Sequence, residues 1–316
     1  MRAFIFPGQG SQAVGMGRDL AAASAAAKAV FQEVDEALGQ NLFRLMCDGP
    51  EEALTLTENA QPAIMANAIA TLRVLEAEGG VKLADKAAFV AGHSLGEYTA
   101  LCAAGSFDLA TTASLLKLRG RAMQAAVPVG VGAMAALLGA DIEKAEKLAE
   151  AAAQGETCTV ANDNDPTQVV ISGHLAAIER AIAMAKDHGI KRGIQLPVSA
   201  PFHCPLMQPA ADAMAQALAE IGAQTAIQAP AVPLFANVTA APVSDADQIR
   251  AQLVEQVTGR VRWRESAAAM AAAGVTEFAE FGGKVLSPMV KRSAGADVNT
   301  VSLINMDDIE AYLGAL

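Results

Sequence analysis

Two short apolar runs, each closed by a glycine turn and followed by a helical pattern, limit the folds available to this 316-residue chain. The first run covers residues 3–6 and ends at a Pro-Gly turn, and the second covers 87–91. An apolar run of this length bounded by glycine or proline is typical of a buried strand. Helical periodicity follows over 16–38 in the first case and 95–104 in the second. Repeated strand–turn–helix units predict an α/β fold with a largely parallel sheet.

The order of elements changes between residues 128 and 196. The pattern there is β-α-β-β-α-β, which is typical of a ferredoxin-like unit. The polar stretch 162–166 is expected to be a loop between its two middle strands. We therefore predict a ferredoxin-like domain over 128–196, inserted into an α/β core made of 1–127 and 197–316.

Charge and hydropathy exclude several classes of protein. The formal net charge of −11 argues against broad binding to nucleic acid or anionic lipid. The apolar stretch after Arg2 stops at Pro7, which is too short for a secretory signal. The uncharged run between Arg121 and Asp141 is broken by proline and glycine, which disfavours a membrane span. We expect a cytoplasmic protein.

The cysteines indicate neither a disulfide framework nor a metal site. The chain has four of them, without the CxxC spacing of a zinc or redox motif. Reduced thiols in a cytosolic protein fit this usage best. The four are Cys47, Cys102, Cys158 and Cys204.

The stretch Gly92-His93-Ser94-Leu95-Gly96 fits the pattern G-x-S-x-G. A serine on a sharp strand-to-helix turn has a strained backbone, and its neighbours must be small for the chain to fold back. The turn exposes the hydroxyl and places the N–H groups of the helix N-terminus beside a reacting carbonyl. The apolar run before it and the helical run after it supply the required context. We predict Ser94 as a nucleophile that carries an acyl group.

A serine nucleophile needs a base, and the chain has four histidines. His188 precedes a glycine at a helix end, His174 begins a helix, and the ring of His93 should diverge from its neighbour Ser94. His203 lies in a proline-pinned loop after a strand, where open α/β sheets place functional groups. We predict His203 as the base. The group that orients it, an acid or a backbone acceptor, stays open.

The loop after the first strand contains G-x-G-x-x-A over residues 8–13. This spacing matches a dinucleotide fingerprint, which also requires a second strand with an acidic residue about 20 positions on. Asp35 and Glu36 have that spacing, but one long helical pattern precedes them. We favour a glycine nest whose N–H groups form half of an oxyanion hole, with the Leu95 N–H as the other half.

Arg119 lies on the apolar side of a predicted helix. Residues two apart on a helix differ by about 200°, so Lys117 and Arg121 share a face, which we expect to be solvated, and Arg119 is nearly opposite. An arginine on an apolar face needs an anionic partner. That partner is either an internal carboxylate or a substrate carboxylate gripped by the guanidinium fork, and both alternatives stay open here.

These stretches together resemble a known family, the malonyl-CoA:acyl carrier protein transacylases of bacterial fatty acid synthesis. The resemblance spans nearly the whole chain, and its motifs are specific as a set. They are Phe6-Pro7-Gly8-Gln9-Gly10-Ser11-Gln12, Glu58-Asn59-Ala60-Gln61-Pro62-Ala63, Gly92-His93-Ser94-Leu95-Gly96-Glu97-Tyr98, Arg119-Gly120-Arg121-Ala122-Met123, Val198-Ser199-Ala200-Pro201-Phe202-His203 and Gly282-Gly283-Lys284-Val285-Leu286.

The resemblance implies an α/β-hydrolase-like core with a ferredoxin-like insert. It implies that Ser94 is the nucleophile and His203 the base, with the oxyanion bound by the N–H groups of Gln9 and Leu95. It also implies that the histidine is oriented by a backbone carbonyl near Arg262-Trp263.

Substrate contacts follow from the same resemblance. Arg119 would hold the malonyl carboxylate, Gln61 would line the pocket, and Arg262 would contribute to substrate binding. No bound cofactor or metal is implied.

The implied reaction is a ping-pong transfer of malonyl from malonyl-CoA to Ser94 and then to the phosphopantetheine thiol of acyl carrier protein. We expect a monomer. A serine esterase or thioesterase with the same elbow is the main alternative, and a non-catalytic carrier-binding protein is a third. Because the carrier is acidic and this chain carries −11, docking requires local basic residues. The candidates are Lys191, Arg192, Lys284, Lys291 and Arg292.

Overall fold

The computed structural model describes residues 1–198, 200–224 and 227–316, without the side chains of residues 223 and 224. Within these ranges it has a mixed α/β fold with one mostly parallel sheet and a separate antiparallel sheet. The predicted α/β class is therefore confirmed. Ser199, part of one of the sequence motifs, lies outside the described residues. In the described part of the chain, no helix is long and apolar enough to cross a membrane.

Ten strands are described, and they divide into the two sheets by position in the chain. They are β1 (Arg2–Phe6), β2 (Phe89–Gly92), β3 (Gly132–Leu138), β4 (Cys158–Asp165), β5 (Gln168–His174), β6 (Arg192–Gln195), β7 (Leu234–Ala236), β8 (Ala241–Val243), β9 (Glu277–Phe281) and β10 (Asn299–Leu303).

The described helices surround the larger sheet and cover one side of the smaller one. They are α1 (Arg18–Ala23), α2 (Ala25–Leu38), α3 (Leu42–Asp48), α4 (Glu51–Thr55), α5 (Thr57–Gly79), α6 (Leu83–Lys86), α7 (Leu95–Ala103), α8 (Leu109–Ala125), α9 (Ile142–Ala153), α10 (Leu175–Met184), α11 (Gln208–Gln224), α12 (Ala246–Thr258), α13 (Trp263–Ala272), α14 (Leu286–Ala294) and α15 (Met306–Leu313). Short 3₁₀ turns span Ala185–His188 and Pro205–Met207.

The larger sheet has the strand order β10-β9-β1-β2-β7-β8, and only β8 runs antiparallel to its neighbour. The central strand β1 is buried from Ala3 to Phe6, because helices cover both faces of the sheet. In the β1–β2 register, Phe6 is opposite Gly92. The loops that leave the carboxyl ends of these two strands therefore meet, which brings the glycine loop beside the serine turn.

The smaller sheet has the order β4-β5-β3-β6 and is antiparallel throughout. The prediction of a loop over 162–166 is wrong, since β4 continues to Asp165. Its polar end is buried against charged partners outside the small sheet: Arg264 pairs with Asp163 at 2.8 Å and Arg292 with Asp165 at 2.7 Å. Polar residues can occupy a buried strand when partners elsewhere in the fold satisfy them.

Local features also shift other boundaries. The helix predicted over 16–38 is two helices, separated at Ser24, which has extended backbone. Helix α5 begins at Thr57 and contains Pro62 in its second turn. Most of α5 is buried, so tertiary packing offsets the missing hydrogen bond of Pro62.

Candidate active site

Ser94 occupies a strained turn between β2 and α7. Its backbone has φ 55° and ψ −113°, a region that side-chain-bearing residues seldom adopt. The flanking glycines make the turn possible. A Cβ on Gly92 would lie 1.9 Å from the carbonyl carbon of Gly96, and a Cβ on Gly96 would lie 2.2 Å from the carbonyl oxygen of Phe6. The chain can therefore reverse here only without side chains at these positions.

We expect Gly96→Ala to destabilise the fold by about 3 kcal/mol, because the added methyl meets rigid backbone that cannot turn away. The midpoint of urea denaturation would measure the loss. Gly314→Ala is the matched control: its φ is −65°, and an added Cβ would come no closer than 3.5 Å to another atom. Equal stability of the two variants would contradict this account of the turn.

His203 lies against Ser94, with its Nε2 2.8 Å from the serine Oγ. On the other side of the ring, Nδ1 is 2.8 Å from the carbonyl oxygen of Gln256 and 3.1 Å from that of Gly259. Carbonyl oxygens only accept hydrogen bonds, so Nδ1 carries the proton and Nε2 offers its lone pair to the serine hydroxyl. The ring is thereby arranged to accept the hydroxyl proton.

The environment of His203 disfavours its charged form. Burial, and then the positive charge of Arg119, lower the pKa of His203 to about 3. The ring is therefore neutral at physiological pH and available as a base. No carboxylate contacts it among the described residues, since the groups that orient it are main-chain carbonyls at the end of α12 and just after it.

The side chain of Arg262 makes its contacts away from the serine and the histidine. It forms a two-pronged pair with Glu265 and donates to the carbonyl oxygens of Val238 and Thr239. The structure therefore does not bring Arg262 into contact with Ser94 or His203. The carbonyls that orient the histidine lie a few residues before the predicted Arg262-Trp263 segment.

Two amides next to Leu95 are already engaged. The Ser94 N–H donates to Asn237 Oδ1 at 2.8 Å, and the Gly96 N–H donates to the His93 carbonyl at 2.9 Å. Leu95 is the first residue of α7, a position whose N–H has no acceptor within its own helix. Gln9 lines the same cavity as Leu95. Both residues predicted to bind an oxyanion thus line the cavity that contains Ser94.

Arg119 is fully buried in α8, with 1% of its surface exposed. Its partners are neutral: one Nη donates to Gln61 Oε1 at 2.9 Å, and the other donates to Gln256 Oε1 at 2.8 Å and to Ser94 Oγ at 3.2 Å. Among the described residues, none forms an ion pair with Arg119, and its Nε has no hydrogen-bond partner. Burial lowers the pKa of this guanidinium. A buried cation held by amides has capacity for an anion.

Lys117 and Arg121 share a face of α8, since both pair with Glu58, but this face is not solvated at Lys117 as predicted. Arg121 is largely exposed, but Lys117 is buried, where it donates to Gln40 and Asn59 and pairs with Glu58 at 3.2 Å. The helical wheel placed Arg119 correctly on the opposite side. It could not show that α2 and α5 cover Lys117 as well.

Gln256 is the site residue that sequence reasoning missed. It is completely buried in α12 and contacts His203, Arg119 and Ser94 through three different polar groups. The helix itself had a signal, since Asp245 caps it and apolar residues recur at Ile249, Leu253 and Val257. Gln256 is seven positions after Ile249 and three after Leu253, so helical spacing places it on the apolar face of α12, and this is the signal that could have identified it.

Ser94, His203 and Arg119 line one cavity of about 270 Å³. Its lining is otherwise largely apolar, from Met123, Met134, Leu196, Val198 and Phe202, and Arg262 is not among its described lining residues. A small acyl group with one charged end fits such a space. The predicted site residues that line it are Gln9, Gln61, Ser94, Leu95, Arg119 and His203.

The basic residues predicted to dock a carrier protein are all exposed. Arg292 differs from the others because its charge is paired with the buried carboxylate of Asp165. The others are Lys191 and Arg192 around the start of β6, Lys284 before α14, and Lys291 in the last turn of α14.

A serine on a strained strand-to-helix turn, hydrogen-bonded to a neutral histidine, is typical of acyl-transferring sites. A family model described as acyl transferase domain matches residues 3–281. This range includes both sheets up to β9 and every residue of the cavity. The chain belongs to the acyl transferase domain family.

Curated relatives show which members of this family the chain resembles. The malonyl CoA-acyl carrier protein transacylase of Escherichia coli (strain K12) is 45% identical over 304 residues, which cover 96% of this chain and 95% of the relative. The protein of the same name from Bacillus subtilis (strain 168) is 42% identical over 316 residues, which cover 99% and 96%. The resemblance inferred from the sequence motifs is confirmed.

Solved structures share the whole fold. An acyl-carrier-protein-S-malonyltransferase from Bartonella henselae has a TM-score of 0.94 and 50% identity, covering 99% of this chain and 98% of that chain. A malonyl-transacylase in complex with its holo type II PKS acyl-carrier protein has a TM-score of 0.94 and 38% identity, covering 100% and 99%.

Proposed function

We propose that this protein transfers malonyl from malonyl-CoA to the phosphopantetheine thiol of acyl carrier protein and so supplies fatty acid synthesis. The observation that carries the proposal is Arg119, a buried guanidinium with amide partners at 2.8 and 2.9 Å and a Ser94 contact at 3.2 Å. An acyl group esterified to Ser94 places its far end near this fork. A carboxylate there satisfies the charge, which a neutral acyl chain does not.

The first half-reaction uses the serine and the histidine. His203 Nε2 takes the proton of the Ser94 hydroxyl as Oγ attacks the thioester carbon. The N–H groups of Gln9 and Leu95 stabilise the oxyanion. The C–S bond then breaks, and the proton on His203 passes to the departing CoA sulfur. The products are malonyl-Ser94 and CoA.

The second half-reaction reverses these roles. His203 takes the proton of the carrier's thiol, the sulfur attacks the ester carbon, and the proton returns to Ser94 Oγ as that bond breaks. The malonyl carboxylate assists in both halves. It offsets the charge of Arg119, which otherwise opposes protonation of His203. The reaction needs malonyl-CoA and the carrier's thiol as substrates and no bound cofactor.

A serine esterase or thioesterase differs only in the group that removes the acyl chain. Apolar residues line the space around Ser94, and exclusion of water from it favours a thiol acceptor. Arg119 further argues against a neutral-lipid substrate. A non-catalytic carrier-binding protein would have no use for the hydrogen bond between Ser94 and His203.

Finer features of fold and partners belong to the same proposal. The order β4-β5-β3-β6 supports a ferredoxin-like unit over 128–196, and a nucleophile after β2 supports an α/β-hydrolase-like core over 1–127 and 197–316. Carrier docking is a separate part of the proposal. We propose that Lys191, Arg192, Lys284 and Lys291 attract the acidic carrier, with Arg292 contributing less because Asp165 pairs with it. The monomeric state and the cytoplasmic location remain predictions from the sequence.

We expect rapid acylation of the protein by malonyl-CoA and rapid transfer to holo acyl carrier protein, with slow hydrolysis when the carrier is absent. Intact-mass measurements with a panel of acyl-CoAs, with and without carrier, would follow both steps. Apo carrier, which lacks the thiol, is the control. Fast release of free malonate with no transfer would favour the thioesterase alternative.

A further inference from the structure

Glu97 is a buried acid that the transfer reaction described above leaves unused. It is the third residue of α7, with 1% of its surface exposed. An acid at this position commonly reaches back to the N–H of the capping residue. Here Asn237 Oδ1 accepts the Ser94 N–H instead. The carboxylate of Glu97 is thus free to bind elsewhere.

Both oxygens of Glu97 accept N–H donors. Oε1 accepts the main-chain N–H of Asn237 at 3.2 Å, and Oε2 accepts the side-chain Nε2–H of Gln256 at 2.5 Å. Two inward-pointing donors match a carboxylate, which has acceptors on both sides. A neutral amide at this position would turn its NH₂ toward one of these donors, and a neutral acid would accept from them more weakly than the carboxylate.

The contact with Glu97 determines which way the amide of Gln256 faces. Gln256 Nε2 donates to Glu97 and to the Ser94 carbonyl, while Gln256 Oε1 accepts from Arg119. A flipped amide would set its oxygen against the carboxylate and its NH₂ against the guanidinium. The carboxylate therefore keeps Oε1 directed at Arg119.

We propose that Glu97 is a positioning residue for malonyl transfer: through the Gln256 amide, it holds the Arg119 guanidinium in the orientation that receives the acyl carboxylate. The main-chain carbonyl of Gln256 also orients His203, so one residue connects the acid to both functional groups. This inference rests on the proposed function.

The charge on Glu97 is sensitive to pH near neutrality. Burial raises the pKa of Glu97 to about 7, against the opposing hydrogen bonds from Gln256 and Asn237 and the charge of Arg119. The titratable groups around it are Tyr98 on its own helix, with a pKa raised to about 12, Arg119 on α8, and His203, with a pKa lowered to about 3. The neighbours just after β7 and on α12, Asn237 and Gln256, are uncharged. Malonyl acylation should therefore fall as pH drops through about 7, while His203 stays neutral.

Glu97→Gln tests the role at constant shape. We expect malonyl acylation to slow about tenfold at pH 8, acetyl acylation to change much less, and the decline near pH 7 to disappear. Rates of acyl-enzyme formation with malonyl-CoA and acetyl-CoA from about pH 5.5 to 8.5 provide all three readouts. Coupling through Gln256 further predicts that the effects of Glu97→Gln and Gln256→Met are not additive in the double variant.

Glu280→Gln is the matched control. Glu280 is an equally buried acid that accepts N–H groups from Val285, Leu286 and Ser287, away from the cavity. It should keep the wild-type pH profile and malonyl preference, whatever its thermal stability.

Four results would overturn the inference: an unchanged preference and pH profile in Glu97→Gln, additive effects in the double variant, the same changes in Glu280→Gln, or a wild-type profile that is flat between about pH 6 and 8. The last measurement needs no variant, so it decides even if Glu97→Gln fails to fold. If the wild type takes no malonyl from malonyl-CoA at all, the proposed function itself fails.

Discussion

Ser94→Ala should abolish the malonyl-enzyme, with transfer to the carrier falling by a factor on the order of 10⁴ or more. Without Oγ, the carbonyl carbon has no attacking atom in reach of His203 Nε2, which lies 2.8 Å from that oxygen. The other groups of the site remain, but they can only stabilise an intermediate that no longer forms. Intact-mass analysis after brief exposure to malonyl-CoA would measure the adduct, and peptide mapping of the wild type would locate it.

Ser106→Ala is the matched control for this experiment. Ser106 is also a buried serine, with 3% of its surface exposed, but it lines a separate cavity of about 850 Å³ that contains none of the predicted site residues. It should acylate like the wild type. An intact malonyl adduct on Ser94→Ala would show that another residue is the nucleophile.

Arg119→Ala should reverse the acyl preference of the protein. The buried guanidinium offers charge-assisted hydrogen bonds to a carboxylate, and losing them costs about 4 kcal/mol in a desolvated site. We therefore expect kcat/KM for malonyl-CoA to fall about 10³-fold. Acetyl-CoA has no carboxylate to lose and gains a less polar cavity, so its kcat/KM should hold or rise. Kinetics with both thioesters would measure the ratio.

Two further variants sharpen this test. Arg121→Ala removes a guanidinium from the same helix, but that side chain is 63% exposed and pairs with Glu58, so the malonyl preference should persist. Arg119→Lys keeps the charge and loses the fork, so it should recover only part of the preference. Unchanged selectivity in Arg119→Ala would remove this residue from carboxylate recognition.

The positions of Ser94 and Arg119 follow from the sequence to different degrees. The G-x-S-x-G turn is local, because Gly92 and Gly96 must be bare for five consecutive residues to reverse direction. Helical periodicity likewise predicted that Arg119 lies on the apolar side of its helix. The sequence did not decide which anion pairs with Arg119, since a buried arginine can pair with a protein acid or with a ligand. In the structure the amides of Gln61 and Gln256 lie on the two Nη atoms, and no acid among the described residues pairs with them, which favours a ligand as the anionic partner.

Other features depended on contacts between distant parts of the chain. Residues 162–165 carry a polar sequence that favours a loop, but they pair with β5, and Arg264 and Arg292 from outside the small sheet satisfy its two buried acids. The proline-pinned loop allowed His203 to be predicted as the base, but nothing in the sequence indicated which carbonyls orient it. Main-chain acceptors carry no sequence signature, so any residue at position 256 could have supplied that carbonyl.

The sequence by itself determined the α/β class, the acyl transferase family, the serine turn and the side of the helix on which Arg119 lies. These depend on residues within a few positions of each other, where backbone geometry sets the pattern. Only the tertiary structure decided that Gln256 joins His203, Arg119 and Ser94, and that Glu97 holds its amide. Those roles come from burial and from hydrogen bonds between residues up to about 160 positions apart. In water a glutamine and a glutamate are ordinary polar side chains, and in this buried cluster each donor and acceptor must have a partner.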